Sequence, residues 1–320
     1  MAGVLYLRED EIGELLTVRD AITALEQAFG HVARGEAHVQ SRQRVRVPDG
    51  LLHVMPAGIN GGTSLGLKVY TTFAGIGARF FVLLFDARGG ELCALMQADR
   101  LGQIRTGAAS GLATKYMARP DSATLGLIGA GWQARTQLEA ICAVAPIKTA
   151  RVYSRDARRR EHFCATMASV VAAALVPVAS AHEAVVGADV VATITSSSEP
   201  VFDGEWLAPG THVNAAGSNH AAKREIDGVT VSRAARIVTD FRAQAQIECG
   251  DLIPEVQSGR LRWEDVVELA DVVGGREPGR QERVDVTLFE SQGIALEDVA
   301  VASLVYDRAV ERRVGSQLAL

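Results

Sequence analysis

Nine residues near the middle of the chain, Gly126-Leu127-Ile128-Gly129-Ala130-Gly131-Trp132-Gln133-Ala134, constrain the fold more than any other feature. Residues 124–128 are a short apolar run that reads as a strand, and G-x-G-x-x-A follows at the opening of a helical pattern. A chain that turns sharply at Gly129, brings its backbone close to a ligand at Gly131 and packs the next helix through Ala134 forms the phosphate-binding turn of a Rossmann unit. The N–H groups at the helix start then face a pyrophosphate. Gly129, Ala130, Gly131, Trp132, Gln133 and Ala134 are therefore the expected dinucleotide contacts. Alone, such a motif is only a turn; its position between a strand and a helix gives it meaning.

The surroundings repeat that rhythm. Apolar strands at 150–153, 175–178, 190–195, 212–216 and 236–238 alternate with helical stretches, the pattern of a parallel sheet wound with helices on both faces, and another strand is expected at 286–289. The first part of the chain differs. Thr17 and Asp20 form a helix-start box ahead of Val18, Ala21, Ile22, Leu25, Ala28, Phe29 and Val32 at helical spacing. Runs at 44–47, 51–55, 65–72, 80–85 and 91–97 then read as an antiparallel sheet, and a small-residue helix over 107–118 stops before Pro120. A closing helix over 296–312 returns to this part. The expected fold is α/β: a doubly wound parallel Rossmann sheet over 119–293, inserted in an α+β substrate-binding and dimerisation domain made of 1–118 plus 294–320.

Charge narrows the partners. The 33 basic and 38 acidic residues are interspersed and leave a formal charge of −5, so nothing draws the chain to nucleic acid or to anionic membranes. The first residues lack a basic start and apolar stretch, and no run of about 18 uncharged apolar residues occurs, so the expected location is cytoplasmic. Cys93, Cys142, Cys164 and Cys249 are far apart and form no CxxC pair, which reads as reduced core cysteines with no metal site.

The strand at 150–153 ends in Ser154-Arg155-Asp156, where an NAD enzyme commonly offers a carboxylate to the ribose. Here a hydroxyl and a guanidinium come first. Ser154 and Arg155, with Arg159, can hold a 2′-phosphate through charge-assisted hydrogen bonds, so NADP(H) is the preferred cofactor and NAD(H) the alternative. Arg158, Arg159 and Arg160 read equally as a solvated helix face, and Asp156 can reach a ribose instead. Thr195, Ser196 and Ser197 follow the fourth strand at the carboxyl end of the sheet, where the nicotinamide half is expected; a plain loop is the other reading.

The chain resembles the ornithine cyclodeaminase/mu-crystallin family over essentially its whole length. The resemblance rests on Val54-Met55-Pro56 with Gly66-Leu67-Lys68-Val69, and on Ile104-Arg105-Thr106-Gly107-Ala108-Ala109-Ser110 with Ala113-Thr114-Lys115-Tyr116. It continues through the glycine turn, Trp206-Leu207-Ala208-Pro209-Gly210-Thr211-His212-Val213-Asn214-Ala215 and Val286-Thr287-Leu288-Phe289-Glu290-Ser291. It implies a Rossmann domain, a homodimer built on the other domain's sheet, and activities that include cyclodeamination, ketimine reduction and oxidation or formation of amino acids. It also implies that Arg42, Lys68 and Arg105 hold a substrate carboxylate beside the nicotinamide, and it adds Arg105, Thr106, Ala216, Gly217 and Ser218 to the cofactor contacts.

Each cation has a plainer reading. Arg42 shares its segment with Arg44 and Arg46 and reads as a surface residue, and Arg105 reads as a structural ion pair. Lys68 alternates with Leu67 and Val69 in a strand, so its side chain points away from theirs. Two positions depart from the cyclodeaminases of the family: Asn219 stands where they carry an aspartate, and His53 where they carry a glutamate. A diamino acid's second ammonium then lacks a countercharge, so ornithine cyclodeamination is disfavoured; His53 also reads as an inert core histidine. The expected function is NAD(P)H-dependent reduction of a cyclic ketimine carboxylate, 1-pyrroline-2-carboxylate or 1-piperideine-2-carboxylate, with Lys68 or His53 supplying the proton and Asn219 beside the substrate. An open-chain amino acid dehydrogenase or imine reductase of the alanine type, and a cofactor-dependent ligand-binding protein, stay open.

Overall fold

The computed structural model describes residues 3–60 and 64–319; residues 1, 2 and 320, at the ends of the expected first domain, and residues 61–63 lie outside them. In chain order the elements are β1 (Val4–Leu7), α1 (Glu9–Leu15), α2 (Val18–Ala33), β2 (Ala37–Val39), β3 (Gln43–Val47), β4 (Gly50–Ile59), β5 (Leu65–Phe73), β6 (Gly77–Phe85), β7 (Leu92–Gln97) and α3 (Asp99–Met117). There follow β8 (Thr124–Ile128), α4 (Trp132–Val144), β9 (Thr149–Tyr153), α5 (Ala157–Met167), β10 (Ala174–Pro177), α6 (Ala181–Val185), β11 (Val190–Thr193), β12 (His212–Ala215), α7 (Gly228–Arg233) and β13 (Ala234–Thr239). The last are α8 (Arg242–Glu248), α9 (Ile253–Gln257), β14 (Val266–Glu268), α10 (Leu269–Val273), β15 (Val286–Glu290), α11 (Ala295–Arg312) and β16 (Ser316–Leu318). They form two compact units, Met1–Arg105 with Ile294–Leu320, and Thr106–Gly293.

The first unit is built on an eight-stranded sheet in the order β16-β1-β7-β6-β5-β4-β2, with β3 paired to β4. Its hairpins are antiparallel, as the alternating runs require, but β1 lies parallel to β7. Helices and several strands separate β1 from β7 in sequence, so no hairpin dictates their direction. Period-two alternation gives the sheet two unlike faces. Met55, Lys68, Val82 and Met96 form one row across β4 to β7 and are buried; Pro56, Leu67, Leu83 and Leu95 form the next row and are only half-buried. α11 packs on α2, β4, β5 and β6.

α2 begins with the expected reciprocal box, Asp20 N–H donating to Thr17 Oγ1 at 3.2 Å and Thr17 N–H donating to Asp20 Oδ2 at 3.3 Å. Arg308 of α11 donates to the same carboxylate at 2.6 and 2.8 Å and, as the first cause, pulls its pKa far below the ordinary carboxylate value. α3 starts at Asp99, well before the expected 107, because the Glu9 carboxylate accepts the N–H groups of Asp99 and Arg100 at 2.8 and 2.7 Å. A cap supplied from 90 residues away leaves no local signal. The helix runs on into the second unit, where Thr106 accepts from Gln137 at 3.3 Å and Thr114 from Asn214 at 3.0 Å.

The second unit carries a parallel sheet in the order β10-β9-β8-β11-β12-β15-β13-β14, all of whose pairs run the same way. From β8 the strand order proceeds outward in both directions, so the crevice at the carboxyl ends of β8 and β11 is the topological switch point. Both faces are covered by helices, and β11, β12 and β15 are buried along their whole length. β14, which the sequence did not suggest, has three residues and passes directly into α10. Among the described residues no helix is long and apolar enough to cross a membrane.

Candidate active site

Within the first unit, the inner face of the sheet gathers the titratable side chains singled out in the sequence. β5 presents Lys68, β4 presents His53, the segment before β3 brings in Arg42, and α3 contributes Arg105; each is buried. Their partners come from the first turn of α11, where Glu297 and Asp298 are both fully buried. Lys68 Nζ donates to Asp298 Oδ1 at 3.0 Å, and Arg105 Nε donates to the same oxygen at 3.1 Å. Arg105 Nη1 donates to Glu297 Oε2 at 2.7 Å. The positive end of the helix dipole favours both carboxylates there. Asp298 Oδ2 is buried with no hydrogen-bond partner among the described residues, an acceptor held open inside the cluster.

Arg42 is buried, with Nε donating to Met55 Sδ at 3.3 Å, so it is not the surface residue its arginine-rich segment allowed. Met55 is the cross-strand neighbour of Lys68, which places Arg42 on the same patch. The Lys68 ammonium also lies 5.1 Å from the centre of the Phe80 ring and 5.8 Å from that of Tyr70. Burial lowers its pKa to about 8, with Arg105 and Arg42 acting in the same direction and Asp298 opposing.

His53 stacks on Tyr70 with ring centres 4.1 Å apart and its Nε2 lies 3.0 Å from Thr72 Oγ1, while Nδ1 is buried without a hydrogen-bond partner among the described residues. Burial, then Arg44 and Arg42, push its pKa down to about 4. The ring is therefore neutral near pH 7. Of the two proton donors expected from the sequence, Lys68 keeps its proton to higher pH than His53.

The second unit carries the expected cofactor positions. Gly129 has φ +123°, and a side chain there would bring a Cβ within 2.4 Å of the Ile194 carbonyl oxygen, so the turn requires glycine. Gly131 is the extended N-cap of α4 and makes no side-chain cap; the space where its Cβ would stand is open to 4 Å. Gln133 Oε1 is buried without a hydrogen-bond partner among the described residues, and Ala134 is fully buried against the sheet. An uncapped helix start and an open approach at Gly131 fit a dinucleotide phosphate. Trp132 is half-exposed, under Arg135 at 5.5 Å.

At the end of β9, Ser154 is half-buried and Arg155 exposed, while Asp156, also exposed, caps α5, accepting from Arg159 N–H at 3.2 Å. The Arg159 side chain is exposed, 3.8 Å from Asp156. Thr195, Ser196 and Ser197 continue from β11, and Ala216, Gly217 and Ser218 from β12, two neighbouring strands. Thr106 is half-buried in α3, and Asn219 is exposed beyond β12. Sequence reasoning missed Glu297 and Asp298. Two acids in a first helical turn read as ordinary dipole partners, and the only clue was their place in the otherwise apolar run Ile294-Ala295-Leu296-Glu297-Asp298-Val299-Ala300.

The model of the ornithine cyclodeaminase/mu-crystallin family matches residues 4–313. A Delta(1)-pyrroline-2-carboxylate reductase of Bacillus cereus is 37% identical over 272 residues, 83% of each chain. The solved structure of Thermococcus litoralis Delta(1)-pyrroline-2-carboxylate reductase, in complex with NADH and L-proline, superposes with a TM-score of 0.94 at 34% identity, covering 98% of this chain and 100% of that one. An archaeal alanine dehydrogenase dimer with bound NAD superposes with a TM-score of 0.91 at 33% identity, covering 99% of both.

Proposed function

This chain belongs to the ornithine cyclodeaminase/mu-crystallin family, and we propose that it is a nicotinamide-dependent oxidoreductase that reduces the C=N bond of a cyclic ketimine carboxylate, 1-pyrroline-2-carboxylate or 1-piperideine-2-carboxylate, to the imino acid. The observation that carries this reading is the buried cluster of cations on the inner face of the first unit's sheet. Arg42, Lys68 and Arg105 are all buried in the first unit, and Lys68 and Arg105 share Asp298 Oδ1, a gathering of cations that suits one small substrate carboxylate. His53, neutral near pH 7, offers no countercharge to a second substrate ammonium. The named reductases in Bacillus cereus and Thermococcus litoralis support the same substrate class.

Bound on the glycine turn, a nicotinamide cofactor supplies a hydride. The protein's own part is orientation and proton supply. Arg42 and Arg105 hold the carboxylate, Lys68 holds a proton at Nζ for the imine nitrogen, and Asp298 holds Lys68. The alanine dehydrogenase likeness favours a second reading, in which the same cations hold an open-chain imino acid. A panel assay separates them. Purified protein oxidises NADPH fastest with the two ketimines and forms no proline from ornithine with NAD; turnover confined to pyruvate with ammonia makes it an open-chain dehydrogenase, and tight cofactor binding without turnover makes it a binding protein.

NADPH is the preferred cofactor in this reading. Asp156 caps α5 through Oδ1, and Arg155 beside it is exposed at the end of β9, a cation that supports holding a 2′-phosphate. Arg155→Asp lowers the ratio of kcat/KM for NADPH to that for NADH by about 10-fold or more, the scale of a lost charge-assisted hydrogen bond. Equal efficiency with both cofactors in the wild type would refute this.

The working form is a homodimer through the first unit. Pro56, Leu67, Leu83 and Leu95, with Val54, Val69 and Phe81 beside them, leave the outer face of its sheet apolar and only half-buried. Such contiguous patches mark interfaces, and the archaeal alanine dehydrogenase is a dimer. Leu83→Arg, on that face, yields monomers in sedimentation velocity at micromolar concentration; a wild type that is already monomeric there contradicts the assignment.

A further inference from the structure

Two loops at the carboxyl ends of β11 and β12, 194–197 and 216–218, are tied together beneath their surface by one buried side chain, Glu225. Its Oε2 accepts from Thr193 Oγ1 at 2.8 Å and from Gly217 N–H at 2.7 Å, and its Oε1 accepts from Thr195 N–H at 2.5 Å. The three donors come from both loops or from the strand that leads into one of them. The contact is close enough to fix a residue type: a Cβ at Gly217 would lie 2.5 Å from Glu225 Oε1 and from both backbone polar atoms of Thr195. Glu225 is itself anchored, its N–H and that of Ile226 donating to Asp251 Oδ1 at 2.7 and 2.9 Å. Burial pushes the Glu225 pKa upward, and the donors aimed at its two oxygens oppose that.

The first loop is continuous with the glycine turn. Ile194 N–H donates to Ile128 O at 2.9 Å, and the Ile194 carbonyl is the atom that forbids a side chain at Gly129. Glycine turn, 194–197 and 216–218 therefore form a contiguous floor over the switch point, with Glu225 under its far side. We propose that Glu225 is the positioning residue that fixes the nicotinamide-facing part of this floor, separately from the glycine turn that holds the phosphates. The inference rests on the reading that a nicotinamide dinucleotide lies along this edge. Glu225 touches neither cofactor nor substrate in this proposal; it acts through the backbone of Thr195 and Gly217.

The test compares NADH with ADP-ribose, which has the adenosine and both phosphates but no nicotinamide. In Glu225→Gln the amide NH2 must face a backbone N–H or the Thr193 hydroxyl, so one loop is released at almost constant volume. Expected in titrations of the intact protein are an ADP-ribose Kd within about twofold of wild type, an NADH Kd raised about 10-fold or more, and loss of the fluorescence gain of bound NADH. Thr193→Val removes one of the three bonds and shifts the NADH Kd the same way by about threefold, which keeps the inference testable where the glutamine variant does not fold. Unchanged NADH affinity and fluorescence in both variants overturn it, and so do equal losses for NADH and ADP-ribose, the mark of general unfolding. A wild type that binds ADP-ribose but gains no fluorescence with NADH overturns the nicotinamide reading itself, and the clamp with it.

Discussion

Lys68→Met lowers kcat for ketimine reduction by about 10²–10⁴-fold, the usual contribution of a positioned general acid, while NADPH binding stays within about twofold of wild type. Methionine keeps the length and much of the packing of the lysine stem but has no proton to give. The pH profile supplies the sharper check. Lys68 has a pKa lowered to about 8, so its protonated form, the one that donates, is lost as pH rises through that value. Wild-type kcat falls on the alkaline side with a midpoint near 8, and Lys68→Met lacks that limb. His53 cannot produce it, since its pKa near 4 leaves the ring neutral across this range. A variant with wild-type kcat, or one whose alkaline limb is unmoved, refutes the assignment of the proton to Lys68.

Asp298→Ala unfolds at lower denaturant, with a loss of about 3–5 kcal/mol, because it strips two buried cations of the oxygen they share. Lys68 and Arg105 then face each other across a cavity. Asp298→Asn keeps the volume and an acceptor, so it destabilises less, but it removes the charge that raises the Lys68 pKa and moves the alkaline limb of kcat to lower pH. Equilibrium denaturation of the three proteins, with pH profiles of those that fold, measures both effects. Unfolding midpoints equal to wild type within error, and an unmoved limb in Asp298→Asn, show that the carboxylate does not govern the cluster.

The cluster shows where a sequence stops being readable. Lys68 was legible because strand alternation turns it away from Leu67 and Val69, and β5 does bury Lys68 while leaving both leucine and valine half-exposed. Asp298 was not, since its importance comes from a contact 230 residues away in the chain. Arg105 seemed to offer a choice between a structural ion pair and a ligand for substrate; its bonds to Glu297 and Asp298 make the first true without removing the second. The strands and the glycine turn of the Rossmann unit, and the capping of α2 in the first unit, follow local rules and lie where expected. The early start of α3, capped by Glu9, and the parallel pairing of β1 depend on partners that no local window contains. Glu225 was missed for the same reason, since its neighbours in sequence say nothing of Thr193, Thr195 and Gly217.

The central claim is that the imine carbon of a cyclic ketimine carboxylate receives its hydrogen from the cofactor while the protein supplies the proton. Its most direct test is a label: purified protein is given 1-pyrroline-2-carboxylate and NADPH carrying deuterium at both C4 positions, and the proline formed is examined by mass spectrometry and NMR. The account predicts one deuterium at Cα of proline and none at the ring nitrogen after exchange in ordinary water; proline without deuterium at Cα, or no proline while the cofactor is turned over with pyruvate and ammonia, contradicts it.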